Sequence, residues 1–341
     1  MSETAKKYNY CLDVIKGIAC IFVVCMHCEF PGIIGTIVQC ISRFCVPLFF
    51  MISGYYCYYE NLGDEKPVRK KLFHILKITS GATAFYCAIA MIKGLIIGGS
   101  LGISLRGLAI WAIFNQPIVI AGQMWFLFAL LYTYIFYAII KRLGLIKLAY
   151  FSIPVLIALY IAGAQGMHLL GYSLPNYLYR NWLIEGFPLF MLGHYIHKKQ
   201  DSIKIKNSTL IVCVFVPTAL CLVERYLLGR DFGVNIFTFP QVSALFLLAV
   251  RNPTFDIKFL RNIGKKDSML VYIFHPAIWH GLEYIYEWIH IGENMIALYL
   301  MPILVIVLSI IASRMYTIGK IKLDLLGGNQ RENSLSTNIG R

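Results

Sequence analysis

Leu12-Asp13-Val14-Ile15-Lys16-Gly17-Ile18-Ala19-Cys20-Ile21-Phe22-Val23-Val24-Cys25-Met26-His27-Cys28-Glu29 is the stretch that decides the fold. It is an apolar run close to the ~20 residues an α-helix needs to cross ~30 Å of hydrocarbon. Further runs of similar character follow at 38–59, 78–98, 123–140, 147–165, 182–197, 208–226, 237–250, 268–286 and 294–313. Across the 341 residues, 58% are apolar and only 14% charged, a balance that fits a soluble surface poorly. Helices of a soluble all-helical protein would carry a polar stripe for water. The fold predicted is therefore an all-α integral membrane protein, a polytopic bundle of about ten transmembrane helices with both termini cytoplasmic. The eighth run is short, with Pro240 and Gln241 near one end, and needs shelter from its neighbours. Residues 105–120 are apolar but broken near Pro117, which predicts an interfacial or re-entrant piece.

Loop charge tests this map independently. Alternate connections collect Lys66, Arg69, Lys70, Lys71 and Lys77, then Lys141, Arg142 and Lys147, then Lys198, Lys199, Lys204 and Lys206, then Arg251, Lys258, Arg261, Lys265 and Lys266. Lys6, Lys7 and the basic residues from Arg314 onward fall on the same side. On the other side, 30–37 and 287–293 hold no Lys or Arg, and Arg106, Arg180 and Arg230 are the scattered exceptions. Cytoplasmic loops carry that excess of positive charge. The net charge of +14 is thus assigned to anionic lipid headgroups, and no basic reading helix or zinc-finger spacing argues for nucleic acid.

The expected organisation is a short cytoplasmic N-terminus (1–10), one transmembrane domain (11–315) and a loose polar cytoplasmic tail (316–341). Lys16 interrupts the first run and no small-x-small cleavage site follows, so the run reads as a retained helix rather than a signal peptide. Most of the ten cysteines lie in or beside apolar runs, where a thiol behaves as a small hydrophobe. Cys25-x-x-Cys28 sits at the far end of a helix, away from the N-terminal position that would lower a thiol pKa. Cys28 and Cys40 flank one loop, and sequence leaves their pairing open. No second Cys/His pair completes a metal site, so no metal is expected.

Ionisable groups inside spans are costly and are paired, turned to a cavity, or functional. Lys16 and His27 differ by about 20° in azimuth on a helix, and Asp13 lies about 40° from His27, so the three form one polar stripe about 20 Å long. Lys16 can snorkel to the headgroups with Asp13 as its ion-pair partner. His27 suits a general base, because imidazole has the unperturbed pKa closest to neutrality. Glu224 near the end of the seventh run is read either as a carboxylate that orients His27 or as an ion-pair partner of Arg225 or Arg180. His275 and His280 are five residues apart and do not share a helix face. Ser53, beside Gly54, is read as a packing residue that bonds to the preceding turn.

The order of several motifs resembles the acyltransferase family 3 membrane proteins. Leu12-Asp13-Val14-Ile15-Lys16-Gly17-Ile18-Ala19 followed by His27 is similar to that family's first helix, where a basic residue, normally arginine, stands eleven positions before a histidine. Val46-Pro47-Leu48-Phe49-Phe50-Met51-Ile52-Ser53-Gly54-Tyr55 resembles its second helix, and the basic patch Arg69 to Lys77 follows it. Trp125-Phe126-Leu127 with Tyr132, then Arg180-Asn181 with Glu185-Gly186, Pro188, Phe190 and Gly193, then Ser268 with Tyr272 and His275, resemble later segments. Lys16 keeps the point charge of the usual arginine but lacks its planar fork.

The resemblance implies a bacterial plasma-membrane enzyme that moves an acyl group, commonly acetyl, from acetyl-CoA or another acyl-CoA to a hydroxyl of a sugar, a cell-envelope glycan or a lipid-linked precursor. On that footing His27 is the base or acyl relay, with Lys16, Asp13, Glu224 and His275 as further catalytic candidates. Arg69, Lys70, Lys71, His74 and Lys77 are candidates for the coenzyme phosphates, and Arg180, Asn181, Glu185, Trp125 and Tyr132 for the acceptor. The expected partners are membrane lipids and the glycan, sugar or lipid-linked acceptor, with homodimer formation left open and no nucleic acid. The alternative is a membrane transporter of a small polar solute such as serine, against which stands the absence of an inverted pair of broken helices.

Overall fold

The computed structural model describes residues 8–58, 66–97, 104–117 and 121–338. Lys6, Lys7 and the end of the 105–120 piece beyond Pro117 lie outside them. Among the described residues every regular element is helical. They comprise α1 (Tyr10–His27), α2 (Gly32–Ile41) running through a 3₁₀ turn into α3 (Cys45–Tyr55), α4 (Lys66–Ile97), α5 (Leu105–Phe114), α6 (Trp125–Arg142), α7 (Ile146–Ile161) with α8 (Met167–Leu169), α9 (Phe187–Lys199), α10 (Asn207–Leu228), α11 (Thr238–Arg251), α12 (Lys258–Asn262), α13 (Ser268–Trp288) and α14 (Met295–Asn338). Single π-helical segments join α7 to α8, lead into α9 and join α12 to α13.

Among the described residues seven helical runs are long and apolar enough to cross a membrane: Tyr10–His27, Gly32–Tyr55, Lys66–Leu95, Gly122–Arg142, Ile146–Leu169, Asn207–Leu228 and Met295–Lys322. The other expected runs, at 182–197, 237–250 and 268–286, are helical at the expected places but fall outside that set. The short α11 is sheltered as its sequence requires, with Gln241 buried and its Nε2 donating to Thr218 Oγ1 at 2.8 Å. The ten-residue α5 is too short to span. Asn115 ends it in the left-handed conformation (φ 54°), and its buried side chain donates to Trp125 O and accepts from Trp182 N. At the C-terminus the backbone stays helical to Asn338, where composition predicts a loose tail. Extending an existing helix gains one hydrogen bond per residue fixed, so poor formers can continue a helix they could not nucleate.

α1 runs through the centre and packs against α3, α11, α12, α13 and α14. Asn9 starts it, accepting from Leu12 N at 3.0 Å while its amide donates to Ala249 O at the end of α11. Two crossings depend on glycine. A Cβ on Gly264 would lie 1.9 Å from Asp13 O, and one on Gly193 would lie 1.9 Å from Met51 O. Backbones this close gain van der Waals contact that lipid cannot replace, the usual driving force between helices in a membrane. Ser53 in α3 donates to Phe49 O at 2.8 Å, as its packing role predicts.

Candidate active site

The polar stripe on α1 borders three spaces in succession. A proximal cavity of about 640 Å³ surrounds the start of the helix, lined by Asp13 and Lys16 together with Ser53, Tyr56, Tyr58, Lys71, His74, Tyr134 and His197. A smaller space of about 90 Å³, a neck in that it shares lining residues with both larger cavities, is bounded by Lys16, Phe49, Ile52, Ser53, Phe126, Leu130 and Tyr272. Beyond it a distal cavity of about 240 Å³ holds His27, with Glu29, Gln39, Arg43, Gln123, Trp125, Arg180, Glu185 and Tyr272. Lys16 borders both proximal cavity and neck, and Phe126 and Tyr272 border both neck and distal cavity.

His27 is held by stacking. Its ring lies 5.4 Å, centroid to centroid, from that of fully buried His275, with 21° between the planes. The Nδ1 of His275 lies 3.1 Å from Val271 O and donates to that carbonyl, which leaves Nε2 unprotonated, buried and without a hydrogen-bond partner. Among the described residues no hydrogen bond engages the His27 ring, so its nitrogens are left to the cavity. His280 stands apart, pairing with Glu283 at 2.8 Å on the exposed side of α13, as the five-residue spacing from His275 predicts.

Arg180, Glu185 and Trp125 form the facing wall. The Arg180 guanidinium lies over the Trp125 ring at 4.9 Å, and its Nε has no hydrogen-bond partner. Glu185 is carried on the π-helical segment Trp182–Gly186, 1% exposed, with Oε2 unpartnered. Arg43 enters from the junction of α2 and α3, donating to Gln39 Oε1 at 2.6 Å and lying 3.7 Å from Asp231, which Arg225 holds at 2.6 Å. The sequence reading missed Arg43. Its signal was a lone guanidinium inside an apolar run, the same signal that picked out Lys16.

Several sequence assignments change. Glu224 does not orient His27, because its carboxylate accepts from Ile236 N, Phe237 N and Gln165 Nε2 and so anchors the turn before α11. Nor does it pair with Arg225, which Asp231 takes. Asn181 is a helix cap: its Oδ1 accepts from Leu183 N and Ile184 N at 3.0 Å, and its amide donates to Tyr177 O and Leu178 O. Tyr132 lies outside the distal lining and packs edge-on to Trp182 at 6.2 Å. Asp13 accepts from Tyr8 OH and forms no ion pair with Lys16 among the described residues. Of the basic patch, Lys71 and His74 reach the proximal cavity, whereas Arg69, Lys70 and Lys77 are exposed outside its lining. Cys28 and Cys40 are both free thiols.

No solved structure matches this chain. Over 325 residues it is 23% identical to a serine/alanine racemase of Enterococcus gallinarum, a match that covers 87% of this chain and 44% of that protein. The chain therefore spans less than half the length of this curated relative. A family model described as an acyltransferase domain matches residues 9–314, from the cap of α1 into α14 and across both cavities. The motif order on α1, α3 and α13 and the extent of that match lead to one conclusion: this multi-pass membrane protein belongs to the acyltransferase 3 family.

Proposed function

We propose that the protein transfers an acyl group, acetyl in the first instance, from acyl-CoA to a hydroxyl of a sugar, a cell-envelope glycan or a lipid-linked precursor. The observation that carries this is the position of His27, a histidine with no side-chain hydrogen bond among the described residues, at the far end of the neck from a cavity lined by Lys16, Lys71 and His74. A basic mouth, a slender passage and a base beyond it match the phosphates, extended arm and thioester of an acyl-CoA. Lys16 stands about 16 Å along the helix axis from His27, eleven residues at ~1.5 Å each. That separation favours the coenzyme's phosphates over the developing oxyanion as its target.

In this reading His27 removes the proton as the acceptor oxygen attacks the thioester carbonyl. A C–O bond forms, the C–S bond breaks, and the proton held on His27 passes to the departing thiolate, so no outside reductant or oxidant is needed. His275 fixes the plane of His27 by stacking. The membrane is that of a bacterial cell, crossed ten times when 182–199, 238–251 and 258–288 are counted with the seven longer runs, with both termini cytoplasmic. The test uses the full chain in proteoliposomes. Acetyl-CoA should raise its melting temperature, and His27→Ala should abolish transfer while the protein remains folded. Failure to bind any acyl-CoA, with serine uptake into the vesicles instead, would sink the proposal in favour of transport.

A further inference from the structure

The distal cavity holds two ionisable groups, Arg180 and Glu185, that make no side-chain hydrogen bond or ion pair among the described residues. Arg180 lines it with no carboxylate within 4.0 Å among the described residues, and Glu185, almost wholly buried, receives no hydrogen bond there. Their situation differs from that of Arg43, whose charge is met by Asp231 and Gln39. A buried, unpaired carboxylate oxygen costs the full desolvation of that group. Arg180 is also held in place. Trp125 supports one face of it, and a Cβ on Gly233 would lie only 2.9 Å from its Cδ, so the glycine is what leaves room for the side chain.

From this arrangement we infer that the distal cavity is built for an acceptor bearing an acid group, carboxylate or phosphate, beside its hydroxyl. The acid docks on the Arg180 guanidinium, whose fork suits either oxyanion. A hydroxyl of the same molecule donates to Glu185, and a second hydroxyl is left facing His27. Only this last placement rests on the acyl-transfer reading. At about 240 Å³ the cavity suits a unit of roughly monosaccharide size, with any longer chain or lipid carrier extending from its mouth beside exposed Glu29.

The test measures binding of glucuronate, glucose 6-phosphate and glucose to the full-length protein in nanodiscs, without acyl donor. Both acids should bind about tenfold or more tightly than glucose, the scale of a charge-assisted hydrogen bond. Whichever acid binds tighter identifies the source as a sugar acid or a sugar phosphate. Arg180→Gln should bring the three probes level, and Glu185→Gln should weaken all three alike. Because Arg180→Gln also removes the charge held over Trp125, Arg180→Lys supplies a second variant that should keep part of the preference. Equal binding of acid and neutral probes by the wild type overturns the inference whatever the variants do. So does an acid preference that survives Arg180→Gln. Acetyl transfer is then scored separately with acetyl-CoA present. Acid preference without transfer upholds this site and sinks the acyltransferase reading, whereas transfer to glucose as fast as to the acids does the reverse.

Discussion

Two pairs of histidines sit at different levels of the bundle, and their surroundings are opposite: His194, His197 and His275 are buried, whereas His27 is half-buried. At the α9 pair, His194 is saturated: Tyr137 OH lies 2.9 Å from Nε2 and Tyr150 OH 2.8 Å from Nδ1. His197, beside it, stacks on Tyr55 at 4.1 Å and has its Nδ1 against Tyr55 O. At the α1–α13 pair, His275 has one nitrogen with no partner and His27 has no hydrogen bond among the described residues. Burying a polar atom is stabilising only when a partner is supplied. The α9 pair is therefore part of the frame, and the other leaves nitrogens without protein partners, as the base role proposed for His27 requires.

Four changes probe this contrast. His27→Ala should reduce acyl transfer about 10²–10⁴-fold, the usual share of a general base, with the melting temperature of the purified protein nearly unmoved. A variant that keeps near-wild-type transfer would end the assignment. His194→Leu should behave in the opposite sense. Tyr150 OH loses its partner and buried Tyr137 OH keeps Cys57 O, at a cost of about 1–3 kcal/mol visible as a lower midpoint of thermal unfolding, while transfer per folded molecule persists. His275→Leu keeps bulk against His27 but removes the aromatic face. A loss of about tenfold in kcat with little change in stability is expected from a misaligned base, and unchanged kcat would make the stacking incidental. The smallest effect belongs to Lys16→Arg. Restoring the planar fork should lower KM for acyl-CoA by a factor of about three without altering kcat, and a changed kcat would point to a role nearer the reacting carbon.

The all-helical frame was legible from sequence because apolar runs declare themselves by length, which needs no knowledge of neighbours, and among the described residues seven of the ten expected runs are long and apolar enough to span. The stripe on α1 was legible for a related reason: Asp13, Lys16 and His27 share one helix, so azimuth alone relates them. Where the argument needed a partner from another helix, it failed. Glu224 looked like a catalytic carboxylate until the amides of Ile236 and Phe237 were found against it. Asn181 resembled a substrate ligand but caps its own helix, an arrangement that the residues three positions on could have suggested. The stacking of His27 on His275 joins positions 248 apart, and nothing local to either announces it. Arg43 is the exception. It was visible as a charge inside an apolar run and was passed over.

The neck between the cavities has a consequence for the cell's electrical economy. Its walls are mostly hydrocarbon and aromatic, with Phe49, Ile52, Ile75, Phe126, Leu130, Met269 and Tyr272 around about 90 Å³ and polar groups from Lys16, Ser53 and Ser268. A hydrated ion entering it would have to shed water that these few polar groups replace only in part, at a cost of several kcal/mol. An acyl group carries no charge and meets no such barrier. On the proposed acyl-transfer reading, the same constriction admits the transferable end of a thioester, holds back its phosphates and insulates one face of the membrane from the other, so that work done on a hydroxyl at one side need not dissipate the ion gradient between them.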